Sequence, residues 1–169
     1  TRMSSSPNPS HPPTTETETV TADQSSVLAR EHGYTVAVAE SLTGGSLAAA
    51  LAAADDSSEW FAGGVVAYQT RTKQRVLGVA PDCPVISAEC VTTMAASLTD
   101  LMEADAVIAI SGAGGPAGQE GQPPGTVFIA TLVRGQACVG KHHFPGSPEE
   151  VLADSRAHAL RQLAAQMRG

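Results

Sequence analysis

The sequence has no cluster of basic residues: ten Lys and Arg stand against 17 Asp and Glu, for a formal net charge of −7. That balance argues against a partner held through nucleic-acid phosphates. No apolar run reaches the roughly 18 residues that a membrane span requires, so no membrane partner is expected. Residues 1–24 are dominated by Ser, Thr, Pro and Glu and carry no secretory signal pattern. Cysteine is sparse, because Cys83, Cys90 and Cys138 are odd in number and none forms a CxxC pair. Neither a disulfide framework nor a structural zinc site is expected, and a reducing cytoplasm is the default location. Aromatic residues are only 4 % of the chain, but 42 % of its 169 residues are apolar. That length suits one domain with a real core.

Residues 1–20 carry Pro7, Pro9, Pro12 and Pro13 among hydroxyl residues, with almost nothing to bury. They read as a disordered leader or an appended remnant, which leaves 21–169 as the domain. Thr21 and Gln24 resemble a capping box and Gly33 a helix stop, so a first helix is expected at about 21–32. A strand follows at 34–39, then a loop around 41–45, an Ala/Leu-rich helix to about 54 and a strand at 60–68. Ser87 is placed to cap a helix with Val91, Met94, Ala95, Leu98, Leu101 and Met102 turned inward. Asp105–Ser111 is a continuous apolar run, as in a strand buried on both faces. Gly, Pro and Gln fill 112–125, before strands near 126–133 and 137–144. Ser147-Pro148-Glu149-Glu150 starts a last helix to about 167, with Leu152, Leu160, Leu163 and Met167 inward. Helices alternate with apolar strands and no repeat is visible. The expected fold is α/β, a single three-layer domain with a mixed β-sheet and helices on both faces.

Ligands in such sheets gather beyond the carboxyl ends of strands, and three segments leave strands there with polar groups and glycines. The first is Glu40-Ser41-Leu42-Thr43-Gly44-Gly45-Ser46, a strand-to-helix turn whose backbone N–H groups could hold an anion or oxyanion, with Ser41 as the exposed hydroxyl. The plainer alternative is that Ser41 or Thr43 only caps the helix. The GxSxG elbow of serine hydrolases is absent. The second segment is Tyr68-Gln69-Thr70-Arg71-Thr72-Lys73. A lysine shielded from water can act as general base for a serine, whereas an exposed helix lysine would do nothing chemical. Only Lys73 and Lys141 are present, and no SxxK motif ends at Lys73. The third is Ser111-Gly112-Ala113-Gly114-Gly115-Pro116-Ala117-Gly118. It contains a formal GxGxxA, but Pro116 and the Gly/Gln/Pro run after it cannot open the helix a dinucleotide site needs. A glycine-lined loop approaching a ligand closely fits better. GxxxxGK is absent, which argues against an NTPase. No metal site is expected: strand alternation puts His142 and His143 beside Cys138 on opposite faces, and His32 and His158 read as ordinary helix residues.

Taken together in order, Ala39–Gly45, Gly63–Tyr68 with Lys73 and Leu77-Gly78-Val79, Ile110–Pro116, and Gly125-Thr126-Val127 resemble one family, the C-terminal domain of competence/damage-inducible protein CinA. The resemblance runs from about residue 22 to the end. Stand-alone members of that family are nicotinamide mononucleotide deamidases of pyridine-nucleotide salvage. The resemblance therefore implies an amidohydrolase that converts nicotinamide mononucleotide, a small-molecule substrate, to nicotinate mononucleotide and ammonia without metal or cofactor. It implies Ser41 as nucleophile, Lys73 as its base, and Tyr68 with Ser111 orienting the amide and the proton traffic. Glu40, Thr43, Gly44, Gly45, Gly112 and Gly114 complete the expected substrate-binding set, with the N–H groups at 43–45 receiving oxyanion or phosphate. A cytoplasmic homo-oligomer is implied as well. Longer family members add an N-terminal pyrophosphatase-like domain, without which this chain is expected to act.

The chain also departs from the family pattern. Leu42 replaces a usual Cys, Gly146-Ser147-Pro148 replaces a usual Gly-Asp-Arg, Ala117 replaces a usual Asp, and no lysine lies near Gln122. The segment between Val79 and Ser87 is shorter than usual. One cation near the substrate is thereby lost, with Arg71, Arg75 and Arg156 available to replace it. Two alternatives follow: a nucleotide-binding module without turnover, or the same Ser–Lys chemistry on another small amide.

Overall fold

The computed structural model describes residues 14–169, with side chains described from residue 21. Eleven elements follow in chain order: α1 (Thr14–His32), β1 (Val36–Glu40), α2 (Ser46–Ala52), α3 (Ser57–Trp60), β2 (Phe61–Val66), α4 (Thr70–Leu77), α5 (Ala88–Met102), β3 (Ala106–Gly112), β4 (Thr126–Val133), β5 (Gln136–His143) and α6 (Pro148–Arg168). The strands form one mixed sheet in the order β2-β1-β3-β4-β5. β2, β1 and β3 run parallel, and β4 and β5 continue the sheet antiparallel.

Strand alternation divides the interior into two cores. Val36, Val38, Ile108, Ile110 and Ile129 meet Leu47 and Leu51 of α2 and Leu160, Leu163 and Met167 of α6 on one face. Ala37, Ala39, Val107, Ala109 and Phe128 meet Leu77 of α4 and Met94 and Leu98 of α5 on the other. Central strands buried on both faces explain the unbroken apolar runs of β1 and β3. This is the expected three-layer α/β domain.

Local signals at two helix starts are realised. Ser87 Oγ accepts from Cys90 N at 3.1 Å. Ser147 Oγ accepts from Glu150 N at 3.2 Å while Glu150 Oε1 accepts from Ser147 N at 3.3 Å, closing a capping box around Pro148. Other expectations need correction. α1 starts at Thr14 rather than 21, so Thr21 lies inside a helix and is no cap. No proline or glycine stands between Pro13 and Gly33 to stop it upstream. The helix α1 thus reaches into the expected leader, the rest of which, residues 1–13, lies outside the described residues. Leu101 is 55 % exposed, because it falls on the flank of the α5 stripe that Val91, Met94, Ala95 and Leu98 define. The one-turn helix α3 was not expected. It brings Trp60 into the first core, where Nε1 donates to Asp55 O at 3.0 Å. No described helix is long and apolar enough to cross a membrane.

Candidate active site

The parallel strands β1, β2 and β3 end on the same side of the sheet, and the three segments singled out in the sequence leave from those ends. A cavity of about 420 Å³ opens between them, within the size range of small-molecule sites. Ser41 and Leu42 line it after β1, Tyr68 just before α4 with Thr70 and Lys73 in its first turn, and residues 111–119 from the end of β3 onward. Val85 and Ile86 form one wall, and Pro148 and Leu152 of α6 close another. Leu152, expected to point inward, is half-buried, packing against the first core while it lines this wall.

Lys73 is a buried lysine, not an exposed one. Only Lys73 and Leu77 of α4 are buried, one helical turn apart on the face turned to the domain. The residue is 2 % exposed, and its Nζ donates to Tyr68 O at 3.1 Å. Burial pushes its pKa below the ordinary lysine value, opposed by Cys90 and Glu120. The Cys90 thiol is itself pushed up to about 12 by burial, so at neutral pH it is protonated and carries no charge. Ser41 is 6 % exposed at the cavity. Tyr68 is 67 % exposed, so its phenol stands at the mouth while its carbonyl holds Lys73. Ser111 is buried and its Oγ donates to Val85 O at 2.6 Å. Gly114 lines the cavity with Leu42 opposite, and Gly112 lets β3 approach β4 where a Cβ would lie 2.6 Å from Thr126 O.

Four residues expected to bind substrate lie outside the lining of this cavity. Glu40 is fully buried; its Oε1 accepts from Gly45 N at 3.2 Å and Leu47 N at 2.9 Å, and its Oε2 from Ala48 N at 2.8 Å. The chain's own carboxylate thus fills the anion-binding end of α2. Gly44 N donates to Ser41 O at 3.0 Å, and Gly44 and Gly45 take φ of 61° and 101°, which the turn requires of them. Thr43 is buried with its hydroxyl unpartnered. None of Glu40, Thr43, Gly44 and Gly45 lines the cavity.

Glu120 was missed. Gln119 and Gln122 exchange backbone hydrogen bonds of 3.0 and 2.9 Å across a two-residue turn in which Glu120 and Gly121 have φ of 51° and 72°, the type I′ pattern. The Glu120 carboxylate accepts from Val85 N at 3.1 Å and Ile86 N at 2.9 Å. Its only signal in the sequence was an acid standing alone in a Gly/Pro/Gln stretch.

The arginines offered as replacement cations are elsewhere. Arg71 and Arg75 are exposed, Arg156 Nη1 donates to Ser46 Oγ at 3.3 Å, and none lines the cavity. His142 turns toward α6, its ring 4.0 Å from that of His158 and stacked on Phe144, while His143 is exposed. Among the described residues, no group of three or more His, Cys, Asp or Glu could hold a metal ion.

The family model of the CinA C-terminal domain matches residues 18–167. The chain belongs to the CinA C-terminal domain family. Protein YdeJ of Escherichia coli K12 is 38 % identical over 130 residues, which are 74 % of this chain and 76 % of YdeJ. A CinA-like protein of Thermotoga neapolitana is 38 % identical over 141 residues, 80 % of this chain but 34 % of that protein. The CinA domain thus spans about a third of its longer curated relatives. The crystal structure of a competence or damage-inducible protein from Enterobacter asburiae superposes with a TM-score of 0.86 at 33 % identity, covering 89 % of this chain and 98 % of that one. That of competence/damage inducible protein CihA from Agrobacterium tumefaciens also reaches 0.86, at 26 % identity, over 99 % and 100 % of the two chains. In this CinA domain the segments that carry the resemblance supply Ser41, Tyr68, Lys73 and the 111–116 wall of one cavity.

Proposed function

We propose that this CinA domain is an amidohydrolase that cleaves the carboxamide of nicotinamide mononucleotide to nicotinate mononucleotide and ammonia. The observation that carries the reading is a buried lysine sharing one cavity with a serine hydroxyl. Desolvation disfavours the ammonium and so favours the neutral amine, the form that can take the Ser41 proton. Ser41 Oγ attacks the amide carbon, Lys73 returns the proton to the departing nitrogen, and ammonia leaves a nicotinyl ester on Ser41. Water, deprotonated by Lys73, then cleaves the ester and restores the hydroxyl. Ser111 has committed its hydrogen to Val85 O, so its lone pairs are free to accept from the substrate's amide N–H. Tyr68, exposed at the mouth, suits stacking on the pyridine ring better than relaying a proton. The same reading carries with it a cytoplasmic, self-associating protein.

Ammonia release from nicotinamide mononucleotide by wild type, Ser41→Ala and Lys73→Ala tests it. Product from wild type alone is expected, and comparable turnover by both folded variants overturns the mechanism. One observation favours a second reading: among the described residues, Lys73 is the only charged side chain lining the cavity, so no fixed cation there meets a phosphate. Ser–Lys hydrolysis of a phosphate-free amide such as nicotinamide riboside, with nicotinamide mononucleotide untouched, would establish that reading. Saturable calorimetric binding of the nucleotide without product would establish a binding module.

A further inference from the structure

We propose that Glu120 is a positioning residue of this site: its carboxylate ties the tip of the 113–125 loop to the Val85–Ile86 wall of the cavity that Lys73 lines. The inference rests on the Ser–Lys reading above. The wall is a short stretch outside every helix and strand, and two side chains grip it. Ser111 donates to Val85 O from the end of β3, and the Glu120 carboxylate accepts from Val85 N and Ile86 N. Both gripped residues line the cavity, as do Ala117, Gly118 and Gln119 just before Glu120. The distance between these two sides of the cavity is therefore set by one carboxylate.

The backbone supplies a second, independent observation. The first corner of a type I′ turn favours Asn, Asp or Gly, yet a glutamate sits there at φ 51°. Asparagine or aspartate would suit that backbone but is one methylene shorter. A left-handed non-glycine residue whose side chain makes two specific hydrogen bonds is a site where strain points to a purpose. The third observation is electrostatic. Of the two groups that oppose the desolvation of Lys73, Cys90 on α5 is a protonated thiol at neutral pH, whereas Glu120 is a carboxylate. Glu120 thus opposes the effect of burial on the proton affinity of Lys73.

Two variants of the full chain separate reach from charge. Glu120→Gln keeps the length, removes the charge and leaves one of the two amides without its acceptor; Glu120→Asp keeps the charge and suits the turn but shortens the arm. The chain has only two lysines, Lys73 and Lys141, so Cε–Nζ resonances of isotope-labelled lysine can be followed through pH, with Lys141→Arg to assign them. In Glu120→Gln the Lys73 titration is expected to move to lower pH while Lys141 stays, and the acid limb of kcat/KM moves with it. In Glu120→Asp the Val85 and Ile86 amides are expected to exchange with solvent at least about tenfold faster, because the shorter arm gives up the bonds that hold them. An unmoved Lys73 titration, or unchanged amide exchange, overturns the proposal. Both readouts stand without turnover. A wild type that releases no ammonia, with Lys73 shifted in Glu120→Gln, would therefore defeat the amidohydrolase reading and leave the Glu120 coupling in place.

Discussion

Two charged side chains are buried at the same end of the sheet, and they are treated in opposite ways. Glu40, at the end of β1, is surrounded by three backbone N–H groups. Lys73, at the start of α4, has one carbonyl. A buried carboxylate with that many donors is fully compensated and has no reason to react, whereas a buried ammonium with a single acceptor is poorly held and inclined to give up its proton. Satisfaction of the charge, more than burial itself, separates scaffold from chemistry here. The saturated group stiffens the turn that presents Ser41, and the unsaturated one faces the cavity.

The sharpest way to break that contrast is to replace each charge in turn. Lys73→Met is expected to lower turnover by about 10²–10⁴, the scale of a general base, while the thermal midpoint holds or rises because an undercompensated charge becomes an apolar chain. A midpoint fall on the order of 10 °C would make Lys73 a structural residue. Glu40→Ala should do the reverse to stability. Orphaning three buried donors costs about 3–5 kcal/mol, which for a domain of this size lowers the midpoint on the order of 10 °C. Glu40→Gln, which keeps one acceptor oxygen, should lose roughly half as much, and a Gln variant melting like wild type would erase the contrast.

A smaller effect concerns His142 and His158, whose pKa values are both pushed down, mainly by burial. The unfolded chain binds protons at these positions near pH 6.5, the folded one only at lower pH. Their contribution to stability is therefore full above that value and is lost as pH falls through it toward the depressed folded values. Urea unfolding at pH 7.5 and 5.5 should show a drop that His158→Phe makes shallower. Smallest of all is the exposed pair Arg30–Asp56 at 3.1 Å; Arg30→Ala should cost under about 1 kcal/mol, and less in high salt.

Much of this molecule is legible in the chain. Runs such as Val36–Ala39 and Ala106–Ile110 can only be strands buried on two faces, and the glycine-bearing segments after them had to lie at one edge, so Ser41, Lys73 and Ser111 fall together without any contact being known. The direction of the Glu40 side chain was not legible. In a strand apolar on both sides, alternation does not say which face a terminal acid takes, and its adjacency to Ser41 made it look like a ligand. Glu120 was hidden for a different reason: its partners, Val85 and Ile86, are 34–35 positions away, and only the tertiary path of a loop without periodicity brings them near. The early onset of α1 was obscured because its residues are polar, and polarity was read as disorder where only the absence of helix breakers mattered.

The single tryptophan has a consequence for how unfolding of this domain looks to a spectrometer. Its indole is 2 % exposed and lies with α1, α2 and α6, whereas α4 and α5 pack on the opposite side of the sheet. Intrinsic fluorescence is therefore a one-sided witness, while circular dichroism sees every helix. In a denaturant titration the two curves coincide only if the sheet transmits collapse from one layer to the other, so their overlap directly measures cooperativity through the five strands.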